Sequence, residues 1–207
     1  MAPRKTKATK QGARTKPAVA KKKAAARKPA AKRTAGRSPK EQLHWTGYLG
    51  QIADAAYRAT DGLMGLCDDA GLAWKPATGA NWMTTGQLLE HLLTACGFCA
   101  DCFEKNRWPD FGDDMLPAAE HLPTAGSVSA ARVALAKDKE LFLAAVRRAG
   151  ESRLTTEKVT APWNPTPYFL AQQMAFSVEH LIVHKAQLYY YLKLQGKQVH
   201  TGHLYGM

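Results

Sequence analysis

The stretch FSVEHLIVHKAQLYYYLKLQG, Phe176–Gly196, reads as one apolar helix that carries two imidazoles, His180 and His184, one turn apart. Residues four apart are neighbours on a helix surface, so both rings can reach one point beyond it. The stripe Phe169, Gln173, Phe176, His180, Val183, Gln187 and Tyr191 follows the three- and four-residue spacing of a core-facing seam. Apolar residues cover nearly the whole circumference, so this helix is expected to be the most buried of the fold. Thr166 is its expected cap, Pro167 falls in its first turn, and Gly196 is its stop.

Outward from there, three more helical segments are legible. Ser38-Pro39-Lys40-Glu41 has the capping-box pattern, and Leu49, Ile52, Ala56, Ala59, Leu63 and Leu66 recur at helical steps, predicting a helix over 39–70. Thr84 and Gln87 form a second capping pattern, and Leu88, His91, Ala95, Phe98 and Cys102 share a stripe, predicting a helix over 85–106. A third is predicted over 127–149, with Val133, Leu141, Phe142, Ala145 and Val146 inward and Gly150 as its stop. No strand-like alternation of useful length stands out. Residues 107–126, rich in Pro, Gly and Asp, are long for a connection and suit a crossover. The fold class expected is all-α, a four-helix bundle with one long crossover, over residues 39–207.

Residues 1–38 are different in kind. Of the 29 Lys and Arg in the 207-residue chain, residues 1–40 hold 15, and they hold no Asp or Glu. The rest carries 14 basic and 17 acidic side chains, a net of −3, so the overall +12 belongs to the arm. A segment of Lys, Arg, Ala and Pro cannot bury enough apolar surface to offset its ordering entropy, and a disordered basic tail is expected. Its composition resembles the Lys/Ala/Pro tails of linker histones and bacterial histone-like proteins. That implies sequence-independent contact with nucleic acid through phosphate charge. The alternative is a solubilising tail, with a transit peptide a more distant third.

His91 occupies, on the second helix, the seam equivalent to that of His180 and His184. Three imidazoles on inward seams of apolar helices are costly to bury without a shared partner. A divalent ion is such a partner, and three neutral imidazoles leave coordination positions open, as catalytic sites do. The competing reading is three hydrogen-bonded histidines. Imidazole suits Zn²⁺, Ni²⁺ and Fe²⁺ alike, so the ligand type does not select the ion.

NWMTTGQLLEHLLTACGFCADCF, residues 81–103, and the segment from Ala175 to the final Tyr-Gly resemble the second and fourth helices of the DinB/YfiT-like metalloenzyme family. The resemblance covers about residues 41–207. It implies a four-helix bundle with a three-histidine divalent metal site, here His91, His180 and His184. Members often have a further His just before the last ligand, where this chain has Val183, and a Gly where it has Ala186. Characterised relatives include thiol-dependent transferases and isomerases, which implies a low-molecular-weight thiol as co-substrate. Hydrolysis is the other chemistry that an open site suits.

Other groups carry weaker patterns. Cys96, Cys99 and Cys102, with Cys67, are read as buried small hydrophobes rather than a cluster site. His200 and His203 lie past the helix stop and are read as surface residues. Glu90 and Glu179 precede ligand candidates but point about 100° away; Gln187, one turn past His184, is placed to orient it or simply to end the stripe. No run reaches the roughly 18–20 apolar residues of a membrane span, and no secretory leader is seen. The expected setting is cytoplasmic, possible nucleoid association following from the tail. Expected partners are a small-molecule substrate or thiol, a second copy of the chain, and nucleic acid through residues 1–38. The second hypothesis is a non-catalytic metal-binding bundle tethered by that tail.

Overall fold

The computed structural model describes residues 44–112 and 117–207. The tail, the domain boundary at 38/39 and the cap at Ser38 lie outside them.

The first helix, α1, spans Trp45–Met64, shorter than the 39–70 expected. His44 makes no side-chain cap. The first orphan amides are instead met by a carboxylate from another helix: Trp45 N and Thr46 N donate to Glu151 at 2.9 and 3.2 Å. Leu49, Ala53, Ala56, Leu63 and Met64 form the buried stripe.

The second predicted helix is two. α2, Thr85–Leu92, has the capping box read from its sequence: Gln87 N donates to Thr84 Oγ1 at 3.2 Å and Thr84 N to Gln87 Oε1 at 2.8 Å. Gln87 Nε2 also donates to the carbonyls of Ala119 and Leu122, which ties down the crossover. α3, Gly97–Lys105, starts after a break at which Cys96 leaves helical geometry (φ −125°, ψ −67°). The break is made by Asp138 of the next helix. Its carboxylate accepts Gly97 N and Phe98 N, both at 2.8 Å, and the Tyr57 hydroxyl at 2.7 Å. Gly97 is required there, because a Cβ would lie 1.9 Å from the Asp138 carbonyl oxygen. The pattern of apolar residues is continuous across 93–96, so the sequence stripe hid the interruption. α3 ends on Asn106 in the left-handed conformation (φ +47°).

The crossover holds one 3₁₀ turn, Ala119–His121. α4, Val128–Thr156, starts as read, with Ser127 Oγ accepting Ala130 N at 3.1 Å. Gly150 (φ +61°, ψ 170°) breaks its helical backbone where the stop was expected, but the chain resumes helical turns to Thr156. Val133 is exposed rather than inward.

Between α4 and the last long helix lies an antiparallel hairpin that the sequence did not suggest. β1, Lys158–Ala161, pairs with β2, Asn164–Phe169. Four residues are too few for alternation to register, and Pro165 and Pro167 argued against a strand. They are tolerated because the sheet has two strands only, so β2 has an unpaired edge. Thr166 and Pro167 therefore belong to β2, and α5 begins later, at Leu170–Leu194. Its buried face runs through Leu170, Met174, Val178, Leu181, Leu188 and Leu192. It is not buried all round: Phe176, Ile182, Val183, Tyr190 and Leu194 are exposed. A short α6, Thr201–Tyr205, packs on α1, and buried Lys185 donates from Nζ to the Leu204 carbonyl at 2.6 Å.

α4 packs against α1 and α3, and α5 packs against α1 and α3, closing a four-helix bundle in which α2 and α3 together make one rod. Among the described residues no helix is long and apolar enough to cross a membrane.

Candidate metal centre

His91 is in the last turn of α2, and His180 and His184 are one turn apart on α5. The bundle brings the three together. His91 Nε2 lies 3.1 Å from His180 Nε2 and 3.1 Å from His184 Nε2. All three ligand-capable atoms fall within 4.8 Å of one another, and this is the sole such group of His, Cys, Asp or Glu among the described residues. Each ring is half-buried.

Burial, with His184 and His180 beside it, pushes the His91 pKa down to about 4. Burial and neighbouring His184 likewise bring His180 to about 4, with the Ala95 backbone acting in the opposite sense. Burial lowers His184 too, against the hydrogen bond that its Nδ1–H donates to Gln187. All three rings are thus neutral near pH 7 and carry lone pairs. Three converging neutral nitrogens repel unless a proton or a cation lies between them, and this donor set fits a divalent transition ion.

The outer nitrogen of His184 is accounted for. Nδ1 is 3.0 Å from Gln187 Oε1, which can only accept, so the proton sits on Nδ1 and the Nε2 lone pair faces the cluster. Gln187 is in turn 3.4 Å from the Tyr191 hydroxyl, which donates to the Met83 carbonyl at 3.0 Å. Of the two roles open to Gln187, the structure places it at the imidazole.

The other sequence candidates are not part of the ligand group, although Cys99 lines the cavity beside it. The four cysteines are unbridged, and Cys96, Cys99 and Cys102 are buried. Burial pushes the Cys99 thiol up to about 12 and raises Cys96 and Cys102 as well, so these are protonated hydrophobes. His200 and His203 organise α6: His200 Nδ1 accepts Gly202 N at 3.1 Å. Glu90 and Glu179 make no ion pair among the described residues, and His44 and His121 remain outside the cluster.

A cavity of about 870 Å³ is lined by the three imidazoles and, beyond them, by an aromatic corner. Trp108 stands edge-to-face with Phe103 (4.8 Å between ring centres, 84°) and with Trp163 (5.0 Å, 78°). Phe98 and Phe111 lie 6.4 and 6.2 Å from Trp108. Thr94, Asn164, Gln173 and Ser177 supply uncharged polar groups. The sequence reading missed this wall. Its signal was the presence of tryptophans in connections otherwise rich in Pro, Gly and Asp: Trp108 in the crossover, Trp163 at the hairpin turn.

Comparison with known proteins adds to this geometry. A family model described as the DinB superfamily matches residues 52–188. The fold resembles the crystal structure of a DinB-like protein, YjoA, from Bacillus subtilis, with a TM-score of 0.53 and 17% identity. That match covers 73% of this chain and 94% of the other. No curated protein is matched by the sequence.

Proposed function

The chain belongs to the DinB superfamily, and from that membership and the three converging imidazoles we propose a metal-dependent enzyme. His91, His180 and His184 hold one divalent ion (Zn²⁺, Ni²⁺ or Fe²⁺), and the nucleophile is a low-molecular-weight thiol attacking an electrophile in the adjoining cavity. Bound there, the ion supplies Lewis acidity.

The observation that carries the reading is the convergence of three Nε2 atoms within 4.8 Å of one another. The choice of a thiol over water rests on the cavity wall. Among the described residues that line it there is no Asp or Glu to act as general base. Of the two, free or held at an ion, the thiol is the more acidic, so thiol attack makes less demand on such a base. The protein's own contribution is positional. Gln187 fixes the His184 tautomer, Thr94 and Ser177 offer hydroxyls beside the imidazoles, and the aromatic wall gives the electrophile an apolar surface to rest on.

The test is elemental analysis of freshly purified protein, paired with a thiol-transferase screen. One ion per chain is expected, lost in His91→Ala, His180→Ala and His184→Ala and kept in Cys96→Ala, Cys99→Ala and Cys102→Ala. Unchanged metal content in all three histidine variants removes the assignment.

A second reading concerns residues 1–38, which hold 14 of the 15 cations of residues 1–40, ahead of a remainder of net −3. We propose that this segment binds duplex nucleic acid without sequence preference, with or without catalysis in the bundle. If 6–10 phosphates are neutralised, affinity falls by about 10³–10⁵ between roughly 50 and 200 mM salt. Equal binding by a chain lacking residues 1–37 overturns it.

A further inference from the structure

The cavity beside the imidazoles shows what kind of molecule fits it. Its volume of about 870 Å³ is that of a site for a drug-sized ligand, well beyond a single small ion or water cluster. Among the described residues lining it there is no Lys, Arg, Asp or Glu. A carboxylate, phosphate or sulfonate would find no cationic side chain there, and burying an unpaired charge is costly.

Two large apolar side chains of this wall are left in water. Trp163 is 50% exposed and Phe176 is 44% exposed, although both line the cavity. Trp163 is also held edge-on to Trp108, so it is a placed ring and not a loose one. Mutually perpendicular rings form the sides of a corner whose open faces stack or meet edge-on with a further ring. The corner is assembled from three separate segments: Phe98 and Phe103 on α3, Trp108 and Phe111 in the crossover, and Trp163 at the hairpin turn. Thr94, Asn164, Tyr168, Gln173 and Ser177 add uncharged hydrogen-bonding groups to the lining.

From these observations we infer that the cavity binds an uncharged small molecule bearing an aromatic ring, the ring seated in the Phe103–Trp108–Trp163 corner. Its role as the enzyme's electrophilic substrate rests on the function proposed above; its chemical class rests on the wall alone. Apart from the ion proposed at the imidazoles, the lining offers an acidic group no cationic partner, so an anionic ring substituent is disfavoured in this corner.

The experiment titrates the full-length protein with two probes of one ring system, reading the emission of each probe. They are uncharged N-phenyl-1-naphthylamine and its sulfonated analogue 8-anilino-1-naphthalenesulfonate. A salt concentration of about 150 mM limits collection of the anion by residues 1–40. The uncharged probe is expected to saturate at one per chain, with the sulfonated one about tenfold or more weaker. Trp163→Ala, at a half-exposed turn, weakens the uncharged probe about fivefold or more, as does Trp108→Ala, while metal per chain and the far-ultraviolet helix signal stay at the wild-type level. Equal or tighter binding of the sulfonated probe, or wild-type binding by both tryptophan variants, overturns the inference. The metal reading fails separately: His180→Ala with unchanged metal content sinks that reading whatever the probes do.

Discussion

Removing the acceptor behind His184 tests whether the cluster is built to hold an ion. In Gln187→Leu the side chain keeps its bulk but loses Oε1, which lies 3.0 Å from Nδ1. The Nδ1 proton then has no protein partner, and neither the ring orientation nor the tautomer is enforced. Loss of such an outer hydrogen bond costs about 10–100-fold in metal affinity, or about 1.4–2.8 kcal/mol. His184 is only half-buried, so water replaces part of the bond, and the lower half of the range, about 10–30-fold, is expected. The link from Gln187 to Tyr191 is long at 3.4 Å and adds little. Gln187→Glu makes the opposite change, since a carboxylate is the stronger acceptor, and it is expected to bind the ion as tightly as wild type or tighter. Competition against a chromophoric chelator at neutral pH measures all three proteins, with His184→Ala as the reference for a lost ligand. Thermal unfolding in excess chelator verifies that the bundle itself is intact. A leucine variant as tight as wild type, or a glutamate variant weaker than leucine, refutes the argument that Gln187 acts through Nδ1.

Three other outcomes follow from the packing. Asp138→Ala leaves two amides and a hydroxyl without their acceptor and is expected to cost roughly 4 kcal/mol, about 10 °C in Tm, with Asp138→Asn about half as damaging by urea and thermal unfolding. Gly97→Ala drives a methyl into the α4 backbone and is expected to lose about 3 kcal/mol or more in the same assays, with probe binding weakened because Phe98 and Cys99 shift. For Glu104, burial opposes ionisation but the Arg148 and Arg153 guanidiniums at 2.8 and 2.7 Å prevail, holding its pKa below the ordinary carboxylate value. A depressed native pKa gives stability that is present above the unfolded value of about 4.3 and lost as pH falls through the native one. Glu104→Gln is therefore expected to be less stable than wild type by roughly 2 kcal/mol at pH 7, and the gap to close below about pH 4.

What could be read from the residues was whatever repeats at helical spacing. The starts at Thr84 and Ser127 and the stripe of α1 stand as read, because a cap and a 3.6-residue period are local properties. His91, His180 and His184 were legible as a set for the same reason: they fall on inward faces of segments whose helicity was plain. The break at 93–96 was not legible, since its cause is a carboxylate about 40 residues away in sequence, that of Asp138. The hairpin escaped because β1 has four residues and β2 contains two prolines. Val183 and Phe176 were assigned to the core seam from spacing, but a 25-residue helix meets neighbours on one side only, and both are exposed. The aromatic wall comes largely from connections, where no periodicity exists to reveal which way a ring faces.

That wall and the imidazole cluster differ in where they are written. Every ligand candidate sits on a helix of the bundle, on α2 or α5. Two of the rings that line the cavity, Trp108 and Trp163, sit in connections that carry none of the three histidines. The crossover and the hairpin turn are therefore a replaceable faceplate. Residues 107–112 and 162–163 can be exchanged, lengthened or recoded to reshape the cavity with the imidazole cluster left as it is. For protein engineering this makes the bundle a chassis. A library confined to those two connections samples selectivity, with Trp108, which packs against the core, the position at which a change costs the bundle most.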